Sequence, residues 1–155
     1  MTSIDFPGEL SCVVFLQGCP WRCGYCQNSE LQSRQADNLL HWPDILAWLR
    51  SRQGLLDAVV FSGGEPTLQR GLGEALKQVR ALGYKTGLHT AGIYPQRLQK
   101  LLPLVDWVGL DIKAPFAEYD RISGVPGSAE RAWRSARYLA ESGTRFEVRT
   151  TVHPE

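Results

Sequence analysis

The sequence predicts an α/β protein, an open and partial β/α barrel built on a parallel sheet of five or six strands. Short apolar runs rich in Val, Phe and Ile alternate with longer segments in which apolar residues recur at helical spacing. This alternation is typical of βα units on a parallel sheet. The chain has 155 residues, of which 43% are hydrophobic and 10% aromatic. That is enough for one domain with a substantial core, so we expect residues 1–155 to form a single domain.

The first strand is expected over residues 10–16, because the run 13–15 is continuously apolar, as in a strand buried on both faces. A helix should begin at Pro43 and end at Gly54. The apolar face of this helix is formed by Ile45, Leu46, Trp48 and Leu49. The second strand follows at residues 58–61.

The second helix is expected over residues 68–82, since apolar side chains recur there at helical spacing. These side chains are Leu72, Leu76 and Val79. The third strand covers residues 84–89. A short third helix over residues 95–102 is closed by a proline, and a fourth strand over residues 107–110 ends on Asp111.

The last predicted helix starts at Ser128, whose hydroxyl is suited to an N-cap. One face of this helix carries Ala132, Trp133, Ala136 and Leu139. A fifth strand over residues 146–152 completes the sheet. We expect four tryptophans to pack in the core or between helices, namely Trp42, Trp48, Trp107 and Trp133.

The charge balance excludes some partners. Seventeen basic and sixteen acidic side chains give a formal net charge of +1, so no overall field favours nucleic acid or an anionic membrane. No stretch is apolar enough to span a membrane, and nothing resembles a signal peptide. We expect a cytoplasmic protein, in a compartment whose reducing conditions suit free thiols.

The most informative segment follows the first strand, where Cys19, Cys23 and Cys26 lie within eight residues. Three thiolates can hold three irons of an iron-sulfur cube and leave the fourth iron without a protein ligand. Trp21 lies inside this loop, where it could shield a cluster from water. The fourth cysteine, Cys12, lies within the first strand and is expected to be a small buried apolar residue.

Zinc is the alternative occupant of the cysteine loop. A Cys3His zinc site would take its fourth ligand from a histidine, and the candidates are His41, His89 and His153. Zinc ligands usually come as two separated pairs, and the sequence has no second pair. The spacing alone does not decide between zinc and an iron-sulfur cluster. It is also compatible with a non-catalytic metal-binding fragment.

Four unusual motifs follow consecutive strands, and the carboxyl ends of parallel strands meet at one edge of a sheet. The cysteine loop is followed in this order by Ser62-Gly63-Gly64-Glu65-Pro66-Thr67, His89-Thr90-Ala91-Gly92 and Asp111-Ile112-Lys113. We therefore expect these residues to share one site.

Paired glycines allow the backbone to approach a ligand, and Glu65 adds a charge able to meet an ammonium group. The alternative is a tight turn into the second helix. Asp111 and Lys113 are two residues apart, so their side chains should point to the same side of an extended chain. They could form a plain salt bridge, or together bind a zwitterionic ligand that bears hydroxyl groups. His89 fits a histidine of the core or the rim slightly better than a ligand.

These residues resemble the radical S-adenosylmethionine (SAM) enzymes. Cys19, Cys23 and Cys26 match the C-x3-C-x2-C signature, Tyr25 lies at its aromatic position, and Gly63-Gly64-Glu65 is similar to the motif for the SAM amino group. The resemblance implies a 4Fe-4S cluster whose open iron chelates SAM. An electron from the cluster then releases methionine and a 5′-deoxyadenosyl radical.

Four motifs resemble those of the activating enzymes of glycyl-radical enzymes, and most of all those of anaerobic ribonucleoside-triphosphate reductase. They are Ser3-Ile4-Asp5-Phe6-Pro7-Gly8, Phe15-Leu16-Gln17-Gly18-Cys19-Pro20, Ser62-Gly63-Gly64-Glu65-Pro66 and Asp111-Ile112-Lys113. The resemblance implies a glycyl-radical partner protein and an electron donor such as flavodoxin or ferredoxin. It also implies that Asp111 and Lys113 contact SAM and places a monovalent-cation site at His89 and Thr90. Histidine replaces the usual aspartate there, which argues against the cation.

Two further expectations follow. Relatives in this branch generally have a sixth strand that adds SAM contacts, so a chain with five strands is expected to have an exposed edge strand. It would then be a short natural form, a truncated form or a chain that completes its barrel with a partner. The motifs specify SAM and not the substrate, so a radical SAM enzyme acting on a small molecule, nucleoside or peptide is the alternative function.

Overall fold

The computed structural model describes residues 1–37 and 39–151. Its centre is one parallel sheet in which the strands pair in sequence order. The strands are β1 (Ser11–Leu16), β2 (Ala58–Gly63), β3 (Lys85–Thr90), β4 (Trp107–Asp111) and β5 (Arg145–Arg149). The helices are α1 (Trp42–Arg50), α2 (Leu72–Ala81), α3 (Pro95–Leu101), α4 (Tyr119–Ser123) and α5 (Ser128–Glu141).

The predicted fold class is confirmed. Each strand pairs in parallel with the next along the chain, and within the described residues β1 and β5 form the two edges, so the sheet is open. The outer face of β5 exposes Phe146 and Val148. None of the described helices has the length and apolar content needed to cross a bilayer.

Several elements differ from the prediction, and helix α1 ends at Arg50, before the predicted end at Gly54. Helix α2 begins at Leu72, because Pro66–Leu68 forms a separate 3-10 turn that Glu65 caps. Strand β5 ends at Arg149, and the predicted end at Val152 lies outside the described residues. Helix α4 was not predicted, since five residues are too short for a periodic pattern.

The prediction that Ser128 is an N-cap was wrong. Ser128 is the first residue of α5, and Gly127 occupies the cap position with a φ of 71°. The Asp120 carboxylate replaces the missing cap, because it accepts hydrogen bonds from the backbone N–H groups of Gly127 and Ser128 at 2.8 and 3.0 Å. A cap supplied from another helix cannot be recognised by local spacing.

The main core lies between the sheet and the helices. It includes Leu49, Leu76, Leu88, Leu98, Leu110 and Leu139, which are fully or almost fully buried. Cys12 is buried in this layer, as predicted, and Trp107 is buried on the other face of the sheet. The predicted packing role of Trp48 was wrong, because it is 41% exposed. Trp133 is equally exposed, but its ring packs on Tyr119 of α4, as the prediction of packing between helices allowed. Helical periodicity places both near the edge of a face, where a large ring extends into solvent.

The concave face of the sheet has a smaller core at its amino-terminal end. Phe6, from the segment before β1, packs on Trp107 with ring centroids 5.5 Å apart. A Cβ at Gly87 would lie 3.0 Å from Phe6 and 2.9 Å from Val60, which is closer than ordinary van der Waals contact. The N-terminal segment therefore covers the amino-terminal end of the concave face.

Candidate functional site

The cysteine loop is fixed by backbone hydrogen bonds as soon as β1 ends. Gly18 N–H donates to Leu31 O at 2.8 Å, and Cys19 N–H donates to Gln32 O at 3.0 Å. Further along, Arg22 donates its backbone N–H to Ser123 O at 2.8 Å and its guanidinium to Cys19 O at 2.6 Å. The loop is thus anchored on both sides, at residues 31–32 and at the end of α4.

The thiols of Cys19, Cys23 and Cys26 are free and partly exposed. Burial raises the pKa of Cys19 to about 11, and burial is also the main reason that the pKa of Cys23 is raised. Since iron binds the thiolate, loading this loop must displace protons. The metal therefore has to supply the charge that stabilises the thiolates.

The arrangement of the thiols bears on the choice between zinc and a cluster. Within residues 1–37 and 39–151, no three His, Cys, Asp or Glu side chains are gathered closely enough to hold one metal ion. A cube binds each thiolate through a different iron, so its ligands need not share one coordination sphere. Of the proposed zinc histidines, His89 bonds to Asp5, and His153 lies outside the described residues.

Trp21 is buried within the cysteine loop, with an exposed fraction of 1%. Its ring packs edge-on against Tyr119 at a centroid distance of 5.6 Å. Within the described residues its Nε1 is the only buried side-chain nitrogen or oxygen without a hydrogen-bond partner. Such a group usually has an acceptor, and a sulfide of a cluster held in this loop would be a suitable one. The loop therefore fits an iron-sulfur cluster.

The end of β2 is bonded directly to the cysteine loop. Gly64 N–H donates to Leu16 O at 2.8 Å, and Glu65 N–H donates to Gly18 O at 2.9 Å. Gly63 has a φ of 118°, and a Cβ on Gly63 would lie 2.3 Å from the backbone nitrogen of Leu16. Both glycines are partly exposed, but the space that a Cβ would fill is taken by neighbouring backbone. The glycine pair therefore lets the two loops pack closely.

The Glu65 side chain is not open to a ligand. It is fully buried, and its carboxylate accepts four hydrogen bonds. The donors are Thr67 N–H at 3.0 Å, Thr67 O–H at 2.5 Å, Thr90 O–H at 2.6 Å and Ala91 N–H at 3.0 Å. Burial raises its pKa against the lowering effect of these bonds. Glu65 thus joins the loop after β2 to the loop after β3.

Asp111 and Lys113 form the ion pair that their spacing predicts, with Lys113 Nζ 3.0 Å from Asp111 Oδ2. Burial alone would lower the pKa of Lys113, but the charge and the hydrogen bond of Asp111 raise it. The backbone of Lys113 is held by two phenols: Tyr25 O–H donates to its carbonyl at 3.0 Å, and Tyr119 O–H accepts from its N–H at 3.1 Å. Tyr25 thereby ties the cysteine loop to the charged pair.

His89 and Thr90 lie on opposite faces of β3. Thr90 is 3% exposed and its hydroxyl donates to Glu65, so its side chain supports the neighbouring loop. His89 is on the concave face, where Nε2 lies 2.9 Å from Asp5 O and 3.5 Å from an Arg149 nitrogen. Burial, together with the charge of Arg149, lowers the pKa of His89.

We expect His89 to make stability depend on pH. An unfolded histidine titrates near 6.5, and His89 in the folded chain titrates lower. As pH falls below about 6.5, the unfolded state takes up the proton first, so the folded state loses stability until pH passes the folded pKa. Urea unfolding between pH 8 and pH 5 should show this loss in the native chain and not in His89→Gln. The exposed His41→Gln variant is the control and should behave like the native chain.

The sequence model of the radical SAM superfamily matches residues 13–155. The chain belongs to the radical SAM superfamily. Members of this enzyme superfamily use a 4Fe-4S cluster and SAM. The three cysteines, the glycine pair and the Asp111–Lys113 pair of this radical SAM chain meet at one edge of its sheet, as its sequence predicts.

Several curated relatives are named for enzyme activation. Protein MJ1227 of Methanocaldococcus jannaschii, named as an activating enzyme for a glycyl-radical enzyme, is 31% identical over 77% of this chain and 50% of its own length. The pyruvate formate-lyase-activating enzyme of Clostridium pasteurianum is 31% identical over 99% of this chain and 66% of its own length. A PqqA peptide cyclase of Methylocella silvestris is 32% identical over 87% of this chain and 37% of its own length.

A solved structure shows the same fold. The radical SAM chain superposes on anSMEcpe with bound AdoMet at a TM-score of 0.71 and 19% identity, covering 90% of this chain and 42% of that one. The chain spans between half and two thirds of the length of the first curated relatives it matches. The family match and this superposition agree on a radical SAM fold for the chain.

Sequence reasoning missed two residues of this radical SAM site. Tyr119 supports Lys113 and Trp21, but it lies in the short helix that periodicity does not show. Arg149 is the register partner of Asp111 and lies over the Trp107 ring at 5.2 Å. Strand alternation could have found Arg149, because residues 145, 147 and 149 share one face of β5.

Proposed function

We propose that the protein activates a glycyl-radical enzyme by cleaving SAM reductively and removing a hydrogen atom from a glycine of the partner. The observation that carries this proposal is the direct hydrogen bond from Glu65 N–H to Gly18 O, at 2.9 Å, which joins the cluster motif to the SAM motif. The names of two similar relatives support the substrate class.

The chain would contribute binding and orientation. When bound, the cluster and SAM supply a one-electron cleavage of a carbon–sulfur bond. Cys19, Cys23 and Cys26 would hold three irons, and Trp21 would exclude water from that side. The backbone at Gly63-Gly64 would face the amino-acid part of SAM. The paired charges of Asp111 and Lys113 would bind its polar groups.

We propose anaerobic ribonucleoside-triphosphate reductase as the partner, because the motifs quoted above resemble its activating proteins most. The test incubates the reconstituted protein with SAM, dithionite and the reductase without oxygen, and records 5′-deoxyadenosine and the paramagnetic resonance spectrum. We expect a glycyl doublet on the reductase. SAM cleavage without a doublet would refute the partner and keep the enzyme class, and pyruvate formate-lyase in a parallel incubation tests the other candidate. Cys23→Ala supplies the blank for both signals.

A second candidate is a radical SAM enzyme that modifies a peptide. The similarity to a PqqA peptide cyclase favours it. Turnover of a short peptide in the absence of any partner protein would support this candidate over the first. Metal analysis after anaerobic purification separates both from a structural site, since one zinc per chain without iron or sulfide would refute both enzyme proposals.

A further inference from the structure

Four aromatic side chains connect the cysteine loop to the protein surface. We define the aromatic chain as Trp21, Tyr119, Trp133 and Phe116. Successive ring centroids are separated by 5.6 Å from Trp21 to Tyr119, 6.2 Å from Tyr119 to Trp133 and 6.2 Å from Trp133 to Phe116. All three contacts are edge-to-face. The rings therefore form continuous packing from the loop of the three cysteines outward.

Burial changes sharply along this chain. Trp21 and Tyr119 are 1% and 0% exposed, whereas Trp133 and Phe116 are 41% and 50% exposed. Exposed aromatic rings that pack on each other cost hydration free energy in the isolated protein, and such rings are enriched at the centres of protein interfaces. The outer end of the aromatic chain is thus suited to a partner protein.

The exposed side chains around the outer end carry a net positive charge, because four arginines (Arg121, Arg131, Arg134 and Arg137) outnumber three acidic residues (Glu118, Asp120 and Glu130). Helix α5 exposes Arg131, Arg134 and Arg137, and none of them has an ion-pair partner within residues 1–37 and 39–151. Arg134 follows Trp133 directly. Arg137 lies four residues, or about one helical turn, after Trp133 and on the same side of the helix as Trp133. Glu130 is the acidic residue one turn before Trp133. Exposed arginines beside a tryptophan favour an acidic partner surface.

The position of this surface separates it from the substrate side. Ala132 and Leu139 of α5 pack in the core on the helical side of the sheet, whereas Trp107 packs with Phe6 on the concave face and the same face of β4 carries Asp111. A substrate protein that binds at the concave face therefore leaves the Trp133 surface free. The Trp133 surface and the concave face thus lie on opposite sides of the sheet.

We propose that Trp133, Phe116 and the arginines of α5 form the docking surface for a small acidic protein that carries one electron, of the flavodoxin or ferredoxin class. The carrier loses one electron and the cluster held by the three cysteines gains it. No bond is made or broken, and the aromatic chain is the packed medium through which the electron tunnels. This inference rests on the proposed function, because only a redox cluster needs such a carrier.

The test compares two kinds of variant with a matched control. Trp133→Ala removes the exposed ring, and Arg134→Glu/Arg137→Glu reverses the charge. The control is Trp48→Ala with Arg50→Glu on α1, since Trp48 has the same exposed fraction of 41% as Trp133. Binding of oxidised flavodoxin and of oxidised ferredoxin to each reconstituted protein is measured by calorimetry at two salt concentrations. Stopped-flow absorbance then gives the rate of cluster reduction by each reduced carrier.

We expect at least one carrier to bind the native protein. The charge-reversal variant should bind that carrier about tenfold more weakly than the control does, and the carrier should reduce its cluster about tenfold more slowly. Both quantities should depend less on salt in this variant. Dithionite-driven SAM cleavage should be unchanged, because dithionite does not need the docking surface. Equal rates in the variants and the control would overturn the proposal, as would failure of both carriers while dithionite still works. Failure of dithionite-driven cleavage in the native protein would instead refute the proposed function, and the calorimetry would still report on docking.

Discussion

Replacing Gly64 with alanine should lower SAM cleavage by about 100-fold or more, since a displacement of about 1 Å in a catalytic site can cost that much. A Cβ at this position would lie 2.3 Å from Gly18 O and 2.7 Å from Leu31 O. Both are backbone atoms of segments fixed by hydrogen bonds, so no side chain can rotate to make room. The cysteine loop and the end of β2 would have to separate.

The stability of the Gly64→Ala protein should fall by about 1–3 kcal/mol, the usual cost of overpacking. The matched control is Gly73→Ala in α2, where a methyl group would meet only the Leu101 side chain at 3.5 Å. That change should stabilise the helix by up to about 1 kcal/mol and leave cleavage unchanged. Urea unfolding measures the stability of each variant, and the yield of 5′-deoxyadenosine under dithionite measures SAM cleavage. Iron content shows whether each variant still binds the cluster. If Gly64→Ala cleaves SAM as fast as Gly73→Ala, close contact between the loops does not position the site.

The glycine pair also shows the limit of prediction from sequence. The motif and its place after β2 were predictable, because strand patterns and turn residues are local signals. The approach of this backbone to a ligand stays a prediction, but the structure adds a second reason for the glycines, since Leu16, Gly18 and Leu31 fill the space that side chains would need. The contacts between these backbone segments depend on how the loops pack in the folded protein. Local residue spacing does not predict such tertiary contacts.

The charged residues divide in the same way. The Asp111–Lys113 pair follows from the two-residue period of an extended chain, and the structure confirms it at 3.0 Å. Two of the residues that donate to Glu65, Thr90 and Ala91, lie 25 and 26 residues away. A carboxylate in a loop of this kind was expected to meet a ligand, but tertiary packing buried it among donors from the protein itself.

The Glu65→Ala variant should therefore lose about 3–4 kcal/mol of unfolding free energy, because it leaves several buried donors without an acceptor. Cleavage of SAM should fall with it, since the loops after β2 and β3 are no longer joined. Glu74→Ala, an exposed glutamate of α2, is the control and should change stability little. Equal stability of the two variants would show that the buried carboxylate is dispensable.

Glu65→Gln separates the geometry of this contact from its charge. The amide oxygen can still accept from the two threonine hydroxyls and from Thr67 N–H, which all reach Oε1. Its NH2 group would face Ala91 N–H, which now donates to Oε2 at 3.0 Å. One hydrogen bond becomes a contact between two donors, so we expect a loss of about 1–2 kcal/mol and partial cleavage activity. A glutamine variant as damaged as the alanine variant would show that the negative charge, and not the three bonds to Oε1, holds the two loops together.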